Sequence, residues 1–162
     1  MNYYNEIAQS YDELHKEEQL NKLQIIFDLD LVKPNDKLLD VGCGTGFSLD
    51  YFECKEAVGI DPAKKLIQQY KGKNKIIQGF AENLPFQNNE FDIVISFTAI
   101  QNFNDIEKGL NEIKRVGKNK FVLTFLKQSM KAKLIEDLIR KVFSDFNIEK
   151  IDEKKDFIFI VR

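Results

Sequence analysis

The run Asp40-Val41-Gly42-Cys43-Gly44-Thr45-Gly46 constrains the fold of this chain more than any other segment. It continues a short apolar stretch, Lys37 to Val41, that reads as a buried strand, and it leads into a helix predicted over Phe47 to Phe52. Glycines between a strand and a helix admit φ > 0 and let a ligand approach the backbone closely. The amides opening the helix point at the same place. Nineteen residues after Gly42 an acid, Asp61, closes a second strand, Ala57 to Ile60. An acid there is placed to accept hydrogen bonds from both ribose hydroxyls of a nucleoside. Two other glycine loops do not fit. A GxGxxG loop needs glycine at position 47, which is Phe47, and no Lys-Ser/Thr follows the glycines as in a Walker loop. Asp40 beside the loop would serve a pyrophosphate poorly and suits a zwitterionic amino-acid tail carrying an ammonium.

The rest of the chain alternates between helical and strand patterns. An amphipathic helix is predicted over Glu17 to Leu31, with Leu20, Leu23, Ile26 and Phe27 at helical spacing, broken by Pro34-Asn35-Asp36. A helix over Ala63 to Tyr70 precedes a third strand, Lys75 to Gln78. Phe91 to Phe97 is apolar on both faces, as a central parallel strand should be. A helix over Asp105 to Val116 leads to a fifth strand, Lys120 to Leu126, and the longest C-terminal helix spans Met130 to Phe143. Two last strands, Phe146 to Ile151 and Asp156 to Val161, flank the charged turn Glu153-Lys154-Lys155. The expected fold is a three-layer α/β domain: a Rossmann-like, seven-stranded sheet, mostly parallel, with a C-terminal antiparallel hairpin.

The 162 residues fit one domain, spanning 1–162. Residues 1–62 carry a local charge of −8 and residues 63–162 carry +6, so the net −2 conceals an acidic first part and a lysine-rich remainder. That balance argues against an obligate, tightly electrostatic nucleic-acid binder. No apolar run approaches the ~18 residues of a membrane span, and the polar start MNYYNEIAQSYDELH does not read as a signal peptide, so a cytoplasmic location is expected. Cys43 and Cys54, with His15 as the only imidazole, form neither a disulfide framework nor a metal site.

Four segments in order carry a resemblance to the class I S-adenosylmethionine-dependent methyltransferases. Asp40 to Gly46 is similar to the first motif of that family, and Val58-Gly59-Ile60-Asp61 to its ribose-binding motif. Ala81-Glu82-Asn83-Leu84-Pro85-Phe86, followed by Phe91-Asp92, is similar to its adenine-side segment. Tyr11-Asp12 looks like the segment, here residues 1–20, that folds over the cofactor. The resemblance implies S-adenosyl-L-methionine as cofactor. It places Gly42, Cys43, Gly44 and Gly46 along the methionine part and Asp40 near the ammonium. Asp61 and Pro62 then lie at the ribose, Ala81 and Glu82 at the adenine, and Ser96 at the end of strand four. Phe80 stands where many relatives have an Asp that receives the adenine amino group. Glu82, a backbone carbonyl or packing must then supply that contact, or Phe80 belongs to the core.

By the same resemblance the acceptor meets the tip after strand four and the N-terminal segment, which makes Gln101, Asn102 and Tyr11 the candidate acceptor-side residues. Gln101 and Asn102 hydrogen-bond but take no proton, and His15 either reaches the cleft as a base or is exposed at a helix start. No extra lid lies after strand five or between strands six and seven. An open cleft suits a macromolecular acceptor, RNA or protein; a small metabolite and a catalytically silent cofactor-binding subunit are the alternatives. The edge of strand three, Lys75 to Gln78, is either a pairing site for a small activator protein or an edge that its lysines guard against pairing.

Overall fold

The computed structural model describes residues 8–162, with side chains from Lys16 onward. The chain runs α1 (Ala8–Asp28), β1 (Lys37–Val41), β2 (Glu56–Asp61), α2 (Lys64–Ile67), β3 (Lys75–Gln78), β4 (Phe91–Ser96), α3 (Ile106–Val116), β5 (Gly117–Leu126), α4 (Ala132–Val142), β6 (Ile148–Asp152) and β7 (Asp156–Val161). The strands form one sheet in the order β3-β2-β1-β4-β5-β7-β6. The first five are parallel, and β7 enters antiparallel between β5 and β6. The expected seven-stranded, mostly parallel sheet with its antiparallel C-terminal pair is therefore present.

Alternation along the strands builds two cores. On one face Leu39, Val41, Val94 and Leu123 meet Leu110 and Ile113 of α3 and Ile135 and Ile139 of α4. On the other, Leu38, Ile93, Ile95, Val122 and Ile160 meet Leu23 and Ile26 of α1. A strand buried on both sides has no polar face, which is why Phe91, Ile93, Val94 and Ile95 dominate β4 and only Asp92 and Ser96 are polar. Chain order reverses between β1 and β4, so a crevice opens outside their carboxyl ends. The glycine loop and the tip after β4 both lie there.

Several elements differ from their predicted extents. The first helix stops at Asp28 because Asp30 adopts φ 52° and Leu31 N–H reaches back to Ile26 O at 3.5 Å, with Asp30 N–H on Phe27 O at 2.9 Å. This left-handed cap satisfies the last carbonyls and turns Leu31 into the core. Phe27, expected on the apolar stripe, is exposed. The helix expected over Phe47 to Phe52 is one 3-10 turn, Phe47–Asp50. The helix expected over Ala63 to Tyr70 narrows after Ile67 into i→i+3 bonds at Gln69 and Tyr70, where the Tyr70 hydroxyl donates to Asp50 Oδ1 at 2.8 Å.

Candidate functional site

The loop after β1 is stitched to β2 before it offers anything to a ligand. Gly42 N–H and Cys43 N–H both donate to Ile60 O, at 2.8 and 3.2 Å. Gly44 N–H donates to Asp61 Oδ2 at 2.9 Å, and Ala63 N–H to Asp61 Oδ1 at 2.7 Å. One carboxylate thus ties the glycine loop to the start of α2. Burial pushes the Asp61 carboxyl above the usual carboxylate range, and the two amides pull it back. Gly42 takes φ 79°, and a Cβ there would lie 2.4 Å from Ala99 Cβ, so the loop passes against the tip after β4 with no room for a side chain.

These elements line an open cleft whose roughly 620 Å³ of free space includes the solvent at its mouth. Val41, Gly42 and Gly44 form its floor; Ile60, Asp61, Pro62, Ala63 and Leu66 one wall. Gly79, Phe80, Ala81 and Glu82 close one end, and Thr98, Ala99, Asn102, Phe103 and Asn104 form the opposite rim. Of the residues singled out from sequence, Gly42, Gly44, Asp61, Pro62, Ala81, Glu82 and Asn102 line this cleft. Phe80 lines it as well and is 48% exposed, so it does not belong to the core. Glu82 Oε1 accepts from Asp105 N–H at 3.0 Å, tying the segment after β3 to the start of α3.

The others stand behind the lining. Cys43 is buried with its Sγ against Gly59, and burial raises its thiol well above the ordinary range, as do the Asp40 and Asp61 charges, so it stays an unreactive thiol. Gly46, at φ 78°, caps the 3-10 turn. Ser96 is fully buried and its hydroxyl donates to Val41 O at 2.8 Å, joining the ends of β4 and β1. Gln101 Nε2 donates to Thr98 O at 2.8 Å, and its Oε1 is buried without a partner among the described residues. The Tyr11 and His15 side chains lie outside the described residues.

Asp40 lies beneath the loop, 2% exposed. Its Oδ2 accepts from the Ser48 hydroxyl, and its Oδ1 has no partner among the described residues. Burial raises its pKa from 3.8 to about 7, opposed by the Ser48 hydrogen bond and assisted by the Asp61 charge. The folded chain therefore holds this proton more tightly than the unfolded one. Folding stability is lost as pH rises from about 4 to 7, and the full penalty applies above 7. Asp40→Asn is expected to raise stability at pH 8 by on the order of 2 kcal/mol, and to leave it nearly unchanged near pH 4. Urea unfolding of both proteins across that range checks the difference.

Sequence reasoning passed over a polar cluster behind the rim. Lys22 Nζ donates to Asp156 Oδ2 at 3.0 Å and to Thr98 Oγ1 at 2.6 Å, with Lys22 2% and Asp156 0% exposed. Thr98 has φ 52°, which costs a β-branched residue about 1–3 kcal/mol. The only sequence signals were a lysine beside Leu23 on an apolar helix face and an acid opening an apolar strand. Among the described residues no group of three or more His, Cys, Asp and Glu is placed to hold a metal ion, and no helix is long and apolar enough to cross a membrane.

Residues 39–125 match the model of the family described as "Methyltransferase domain". An uncharacterized protein of Methanocaldococcus jannaschii is 35% identical over 125 residues, 76% of this chain and 49% of that protein. The 2-phytyl-1,4-naphtoquinone methyltransferase of Synechocystis is 35% identical over 112 residues, 58% of this chain and 47% of that enzyme. This chain spans about half the length of the curated relatives it matches. The fold of a putative methyltransferase of Haloferax volcanii, solved in complex with the Trm112 methyltransferase activator, superposes with a TM-score of 0.72 at 17% identity, covering 98% of this chain and 96% of that one. With the glycine loop, the acid closing β2 and the cleft between them, the match makes this chain a member of the class I S-adenosylmethionine-dependent methyltransferases.

Proposed function

We propose that the chain binds S-adenosyl-L-methionine in the cleft and directs methyl transfer to a macromolecular acceptor, RNA or protein, at the rim formed by Thr98, Ala99 and Asn102. The observation that carries the reading is the pair of buried carboxylates at the glycine loop. Asp61 anchors the loop at the end of β2, which supports a ribose contact, while one buried oxygen of Asp40 has no donor among the described residues, which supports an ammonium contact. Ala81, Glu82 and the exposed Phe80 ring offer the adenine a partly apolar end of the cleft. The cofactor supplies, when bound, an electrophilic methyl group on a sulfonium sulfur. The protein then contributes alignment and exclusion of water.

Asn102 orients the acceptor in this reading. Gln101 acts from behind by holding the Thr98 carbonyl, and Tyr11 on α1 belongs to the covering side. The rim residues Thr98, Ala99, Asn102, Phe103 and Asn104 include no group that titrates near neutrality, so they orient a nucleophile rather than deprotonate it. The open cleft supports the macromolecular acceptor. The β3 edge, Lys75 to Gln78, supports a small activator protein pairing there, since no strand among the described residues covers it. A second reading, a small aromatic acceptor, is favoured by the naphtoquinone methyltransferase similarity.

Incubation with methyl-labelled cofactor and separate tRNA, rRNA, protein and metabolite pools tests the choice. Label is expected in one macromolecular pool; label in the metabolite pool alone overturns it. With the labelled pool as substrate, Asn102→Ala is expected to slow turnover about tenfold while cofactor affinity holds within about twofold. Unchanged turnover removes Asn102 from the acceptor side.

A further inference from the structure

The buried cluster joining α1, β5, β7 and the tip after β4 has no part in the family resemblance, and its bonding is lopsided. Asp156 Oδ2 accepts from Lys22 Nζ at 3.0 Å, the Thr98 hydroxyl at 2.7 Å and the Thr124 hydroxyl at 3.1 Å, while Asp156 Oδ1 accepts from nothing among the described residues. Lys22 Nζ spends its remaining protons on Thr98 Oγ1 at 2.6 Å and Gln19 Oε1 at 3.3 Å. Two full charges have been taken out of water here, and for stability alone an apolar pair of similar size commonly does as well or better.

What the cluster fixes is Thr98. Its N–H donates to Thr124 Oγ1 at 2.8 Å, its carbonyl accepts from Gln101 Nε2 at 2.8 Å, and its hydroxyl sits between Lys22 and Asp156. Every polar atom of a β-branched residue at φ 52° is thereby held. A strained conformation of this kind persists only where its surroundings over-determine it. The next residue, Ala99, occupies the space a Gly42 side chain would need, so the conformation at Thr98 sets both the rim and the seat of the glycine loop.

We infer that Lys22 and Asp156 are positioning residues: their buried ion pair holds Thr98 in the left-handed conformation, which keeps Ala99 seated on Gly42 and gives the cleft its binding shape. Gln19 and Lys22 lie one turn apart on α1, so the same pair fastens that helix to the rim. The effect on ligand affinity rests on the cofactor reading above; the effect on Thr98 does not.

The test replaces the pair by apolar side chains, Lys22→Met with Asp156→Leu, and reads three quantities in the cofactor-free and ligand-titrated protein. Urea stability is expected to match or exceed that of the unaltered chain. Amide hydrogen exchange at Thr98 is expected to speed up by about tenfold. Affinity for S-adenosyl-L-homocysteine, measured by calorimetry, is expected to fall by about tenfold. Adding Thr98→Gly, which tolerates positive φ without the clamp, is expected to recover about threefold of that affinity. Thr98→Val leaves the ion pair in place but cuts its bond to the rim, and it is expected to reproduce the exchange and affinity changes. That variant serves if the double replacement does not fold. Exchange at Thr98 and affinity both within about twofold of the unaltered chain, in a folded variant, overturn the positioning role. An unaltered chain that binds no S-adenosyl-L-homocysteine while the exchange pattern holds contradicts the cofactor reading and leaves the positioning role standing.

Discussion

Asp61→Ala is expected to lower affinity for S-adenosyl-L-homocysteine by about a hundredfold or more, the loss of two charge-assisted hydrogen bonds to ribose hydroxyls. It should also loosen the protein, because Gly44 N–H and Ala63 N–H both lose their acceptor. Two amides left unpaired at a mostly buried site cost about 2–4 kcal/mol together, less whatever water repays. Asp61→Asn separates the two effects. One carboxamide oxygen still accepts from one amide while the NH2 faces the other N–H, so no more than about half of that stability should return, and the anionic acceptor for the ribose stays lost. Calorimetric titration beside urea unfolding of both variants checks this division. Asn binding as tightly as Asp would remove Asp61 from the ribose site.

Gly42→Ala is expected to have the second large effect. Positive φ at 79° costs an L-residue about 1–2 kcal/mol, and a methyl group 2.4 Å from Ala99 Cβ adds about 1–3 kcal/mol of overpacking. Relief requires the loop and the tip after β4 to move apart, which widens the cleft between two of its walls. A fall in urea stability of about 2–4 kcal/mol with at least about a tenfold loss of cofactor affinity is the expected result. The pair Gly42→Ala with Ala99→Gly empties the space across from the new methyl and should return the packing part of the loss but not the dihedral part. Equal losses in the single and double variants would show that the contact is unimportant.

The parts of this site written into local sequence were legible, and the parts made by tertiary contact were not. β1, β3 and β7 follow from short apolar runs between clear breakers, and their predicted bounds match. The glycine loop and Asp61 were legible because a left-handed turn and a strand-ending acid have few alternative uses. The short helical turns after the loop and after β2 were over-read as helices, since periodicity does not register that Tyr70 turns away to bond Asp50. Asp40, Cys43 and Gly46 sit in the motif yet stand behind the lining, because the loop amides are spent on Ile60 and Asp61 rather than turned outward. Lys22 and Asp156 were invisible for a different reason. A lysine on a helix and an acid at a strand start are ordinary exposed residues until residues 134 positions apart meet in the core.

Titration of the unaltered chain with S-adenosyl-L-methionine near pH 7, by calorimetry in two buffers of different ionisation enthalpy, tests the central claim most directly. One site per chain is expected, with proton release on binding, because an ammonium beside Asp40 favours the ionised form of a carboxyl that otherwise titrates at about 7. Absence of any heat or saturable signal at millimolar ligand, with Asp61→Ala making no difference, would contradict the cofactor assignment of the cleft.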